Sequence, residues 1–189
     1  REDRASALLR ETLVAMFDEQ TDRVVQRLPK LMKGDLFSHT ERAKAAAWVL
    51  KLQLEATTKP DQLKRLWHDA QAELKQAPEM SAHYACQLCR LGRSKEAELE
   101  LQVLSKRAWT ASATNALAQI NLDDAPSMVN ALTELSGNRS ATDVTNGLVI
   151  AKAQLLPKSD AEKTLLEHYG KQPAPFVVTA LGTIGVKKS

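Results

Sequence analysis

Helix-start signals, apolar faces at three-four spacing and helix-stop signals follow one another along most of this chain, and that succession limits the fold more than any other feature. Ser38-His39-Thr40-Glu41 has the form of a capping box: Ser38 accepts from first-turn amides and Glu41 reaches back to the cap. Ala43, Ala46, Ala47, Leu50 and Leu54 then recur every three or four residues and make one face at the helical period. Thr57-Thr58-Lys59-Pro60 closes that helix and opens the next, because a proline in a first turn lacks only a donor that has no partner there. Leu63, Leu66, Trp67, Ala70 and Leu74 continue the pattern.

Pro78 opens a helix whose Ala82, Ala85, Leu88 and Leu91 share a face, with Gly92 placed to end it in the left-handed region. Ser94 is the expected cap of its partner, in which Ala97, Leu101, Leu104 and Ala108 recur, so the two read as a hairpin. Further helices are expected from about Ala111 to Ile120, Pro126 to Leu135, Ser140 to Leu155 and Ser159 to Tyr169, with Asp123-Asp124 capping the helix at Pro126. Towards the start, Asp3 to Asp18 is helical by composition and Thr21 to Lys33 carries apolar Val24, Val25, Leu28 and Leu31. Pro29 predicts a kink or break near Leu28, since an interior proline removes one hydrogen bond and clashes with the preceding turn. Phe176-Val177-Val178 is too short to argue a sheet, so strand content should be near nil.

Composition agrees, with only 7 Gly and 7 Pro among 189 residues rich in helix formers. The 26 basic and 23 acidic residues nearly cancel and alternate in sign, and aromatics are only 4%, which is not the footprint of a nucleic-acid binder. No apolar run reaches the ~20 residues that cross a bilayer. The opening Arg1-Glu2-Asp3-Arg4 reads as the edge of a soluble part of something longer.

Paired helices of this length, set one after another, are the units of helical-repeat arrays. The clearest unit is 78–109, where Tyr84-Ala85, Leu88, Gly92, Glu96-Ala97, Leu101 and Leu104 fall as in a tetratricopeptide motif, with Ala85 facing Ala97 at the crossing. The expected architecture is all-α: a single domain over 1–189 of stacked antiparallel hairpins, a tetratricopeptide-like right-handed solenoid. Residues 170–189 are expected to be an incomplete repeat or partly disordered.

Leu28-Pro29-Lys30-Leu31, Leu63 to Trp67, Pro78, Leu91-Gly92-Arg93, Glu96-Ala97-Glu98, Lys106-Arg107 and Trp109 come in the order and approximate spacing of the HemY family, which the segment from Val24 to Asp124 resembles. The resemblance implies a tetratricopeptide protein of the bacterial inner membrane, encoded beside haem-biosynthesis enzymes and without an established catalytic activity. It implies membrane attachment only through a segment absent from this chain. The matching positions are mostly packing and turn residues, so they speak for fold before role.

His83, Cys86 and Cys89 recur every three residues along one side of a helix and are the sharpest chemical cluster in the chain. In the repeat register, Glu79, Ala82, His83, Cys86, Cys89 and Arg90 line the inner groove and are the candidate partner-binding residues. A haem- or metal-binding carrier or enzyme using the His83, Cys86 and Cys89 face is the alternative. Against it, a structural zinc site takes four ligands in spaced pairs and the chain has no second cysteine pair, while a redox pair belongs at a helix start after a strand. His39, His68 and His168 read as lone surface histidines, Trp48, Trp67 and Trp109 as packing residues, and Glu98 as lying on the polar side of its helix. The function expected is a non-catalytic interaction scaffold, with a protein or peptide partner, no cofactor, no metal and no nucleic acid.

Overall fold

The computed structural model describes residues 21–31, 38–70, 72–106, 109–138 and 142–187, and among these every regular element is a helix. Packing divides the chain into two compact units, one ending at Ala70 and the other following it. The expected helix over Asp3 to Asp18 lies outside the described residues.

In the first unit, α1 (Thr21–Leu31) pairs with α2 (His39–Ala56), and α3 (Pro60–Asp69) packs on α2. Leu28, Ala45 and Val49 form the core of this pairing, with Val25 and Trp48 half-buried against it. Pro29 does not break α1 at Leu28. The helix continues through Pro29 to Leu31, even though the proline leaves the Val25 carbonyl without its usual amide donor. Ser38 stands at the cap of α2, its carbonyl accepting from Arg42 N–H at 3.1 Å. Pro60 occupies the first position of α3 after an extended Lys59.

The expected continuation of that helix through Leu74 is interrupted. Ala70 turns to φ −64°, ψ 148°, its amide bonding back to Trp67 C=O at 3.3 Å, and the boundary between the units falls there.

In the second unit, α4 (Ala72–Gln76) leads into a hairpin of α5 (Pro78–Arg90) and α6 (Ser94–Ser105). Gly92 has φ +74°, its amide donating to Cys89 C=O (3.0 Å) while Arg93 N–H donates to Leu88 C=O (2.9 Å). These are the two bonds of a Schellman ending, which needs a residue free of a β-carbon clash in the left-handed region. Ala85 and Ala97 are both fully enclosed. Ser94 is not the cap of α6; it is the first helical residue, and Arg93 before it pairs its guanidinium with Glu96 (Nε to Oε1 2.6 Å).

The remaining helices are α7 (Ala111–Ala118), α8 (Ala125–Asn138), α9 (Thr142–Gln154), α10 (Lys158–Lys171) and α11 (Pro175–Lys187). Thr110 caps α7 and Asp124 caps α8, its carboxylate accepting from Ser127 N–H at 3.4 Å. Within the segment expected to be an incomplete repeat or partly disordered, residues 175–187 form the single helix α11, whose Val177, Ala180 and Ile184 are wholly buried.

The short helix α7 is the hub of this unit. It packs against α5, α9 and α11, and Ala113, Thr114, Ala116, Leu117 and Ala118 are buried. Small side chains let three helices approach closely, and a helix enclosed on several sides must be apolar around most of its circumference. Its C-terminal carbonyls then face protein rather than water, where unmet acceptors are costly. Each is met from a different helix: Ala118 C=O by Thr183 Oγ1 of α11 (2.9 Å), Gln119 C=O by Cys89 Sγ of α5 (3.0 Å), and Ile120 C=O by Gln154 Nε2 of α9 (3.4 Å). The return of α11 to α7 brings together residues 65 apart in sequence, whereas units of an open array touch only their neighbours.

Candidate functional site

Helix α5 carries all six candidate groove residues, and the fold separates them into two sets. Glu79 and Arg90 are exposed, His83 and Cys86 half-buried. At 100° per residue their spacing of four, three and four keeps all four within a narrow stripe along the helix. Ala82 is 1% exposed and contributes to the core instead. Cys89 also leaves the stripe, turning towards the end of α7.

The stripe follows from the local sequence. The opposite sides of α5 present Met80, Tyr84, Ala85 and Leu88 to the interior, which orients the remaining positions outward. Glu79 in the first turn and Arg90 in the last also complement the helix dipole. The guanidinium of Arg90 reaches back to Gln87 Oε1 at 3.4 Å.

Cys89 is built into the fold. Besides donating to Gln119 C=O, its thiol is hydrogen-bonded with the Ser94 side chain. Burial pushes its pKa up, the Ser94 bond opposes this, the Glu98 carboxylate adds to the rise and Arg90 opposes it, with a net upward shift. A thiol held protonated is a poor nucleophile and a poor soft-metal ligand. Neither cysteine is disulfide-bonded. Among the described residues no three His, Cys, Asp or Glu side chains are placed together to hold a metal ion.

Two further sequence expectations change. Glu98 is only 6% exposed, so it does not lie on a polar face. His168 is half-buried, its Nε2 2.9 Å from Oδ1 of the buried Asn146, and it ties α10 to α9; His39 and His68 are exposed as expected. Trp109 is buried and donates from Nε1 to Thr114 Oγ1 (2.9 Å), while Trp48 and Trp67 are half-buried.

Sequence reasoning did not single out an open groove of about 710 Å³ beside α11, lined by Asn121, Pro175, Val178, Thr179, Gly182 and Thr183. Val178 is 57% exposed there. No ionisable side chain lines it; its polar groups are the Asn121 amide and the Thr179 and Thr183 hydroxyls. Its only signal in the sequence was the apolar run Phe176-Val177-Val178.

Compared with known proteins, the chain matches no family model, no curated protein and no solved structure.

Proposed function

We propose that this chain is a non-catalytic interaction module in which one tetratricopeptide-like hairpin, α5–α6, presents a surface to a protein or peptide partner, within a unit that α11 closes back onto α7. The observation that carries the reading is the stripe of Glu79, His83, Cys86 and Arg90 on α5, with its charged ends exposed and His83 and Cys86 half-buried between them. The α5–α6 hairpin also supports it, with its Schellman turn at Gly92 and enclosed Ala85 and Ala97. Near-balanced charge favours a protein partner over nucleic acid.

The resemblance of Val24 to Asp124 to the HemY family is the support for placing this module at a bacterial inner membrane. No helix among the described residues is long and apolar enough to cross a membrane. On this reading attachment runs through a segment absent from this chain.

The commitment of Cys89 to Gln119 C=O and Ser94 weighs against a haem or metal carrier working through His83, Cys86 and Cys89. Titrating the protein with haemin and with zinc, followed by absorbance and thermal shift, tests this. The module reading expects neither a spectral change nor a shifted melting temperature. Stoichiometric binding that Cys86→Ser abolishes would replace it with a carrier.

A further inference from the structure

We draw no further inference here: the strongest candidate, the open groove beside α11 lined by Asn121, Val178, Thr179 and Gly182, is an unpartnered apolar face, and nothing in the structure shows what covers it.

Discussion

The indole of Trp109 lies so close to Gly147 of α9 that a β-carbon at position 147 would stand 2.6 Å from Nε1 and 2.8 Å from Cε2. The same Nε1 donates to Thr114 Oγ1, and that hydroxyl is 3.0 Å from Asp143 C=O. Indole, hydroxyl and glycine together fix α7 against α9. Gly147→Ala should therefore overpack the contact and cost roughly 1–3 kcal/mol. Thr114→Val keeps the shape but leaves the indole N–H and the Asp143 carbonyl without this hydroxyl, at about 1–3 kcal/mol. Urea unfolding reads both, and a wild-type midpoint for Gly147→Ala would mean that Trp109 does not lie on that face.

The buried Tyr84 has its pKa pushed up to about 12, first by burial and then by the carboxylates of Glu100 and Glu96. The folded state therefore holds its proton where the unfolded chain, titrating near 10, has released it. This contribution to stability is complete below pH 10 and is lost as the pH rises towards 12. Tyr84→Phe should flatten the fall in stability over that interval, whatever its effect on stability at neutral pH. Unfolding midpoints compared between pH 9 and 11.5 would show it, and parallel pH profiles for the two proteins would count against it.

Cys89 should resist alkylation in the folded protein, because its thiol is both hydrogen-bonded and shifted towards the protonated form. In a Cys86→Ser background, labelling by iodoacetamide at pH 8 should accelerate sharply only as urea unfolds the chain. Labelling in the native state at the rate of a free thiol would remove Cys89 from the end of α7.

Glu98→Lys separates a polar-face reading of α6 from a buried one. With Glu98 6% exposed, a lysine there must bury a charge or distort the helix packing, and the expected loss is roughly 1–3 kcal/mol. An unchanged melting temperature would return position 98 to the surface.

The helices were legible in the sequence because their signals are local. Gly92, Pro60 and Asp124 each act on bonds within a few residues, and each ends or starts a helix where the sequence places it. The break at Ala70 was not legible, since Asp69-Ala70-Gln71 contains no strong turn residue and the apolar spacing runs across it. Nor was the hub at α7, whose end is satisfied by Thr183, Cys89 and Gln154 at separations of 65, 30 and 34 residues. Of the candidate site, helical spacing put all six residues on one helix, α5, but which of them face solvent depended on tertiary packing. That packing took Ala82 and Cys89 inward. It also buried Glu98, which reads from the sequence as lying on the polar side of its helix.

The central claim is that the Glu79-to-Arg90 stripe of α5 makes the partner contact, and the most direct measurement compares partner capture by the wild-type chain and by the double variant Glu79→Gln, Arg90→Gln at its two exposed ends. Both positions are exposed, so the substitutions should cost no more than about 1 kcal/mol, which a thermal melt confirms independently. Lys95→Gln, at an exposed position on α6, serves as the control. The account predicts at least a tenfold loss of affinity for the captured protein in the folded double variant and none in the control. Undiminished capture by the double variant, or loss in the control alone, would contradict it and move the binding surface off α5.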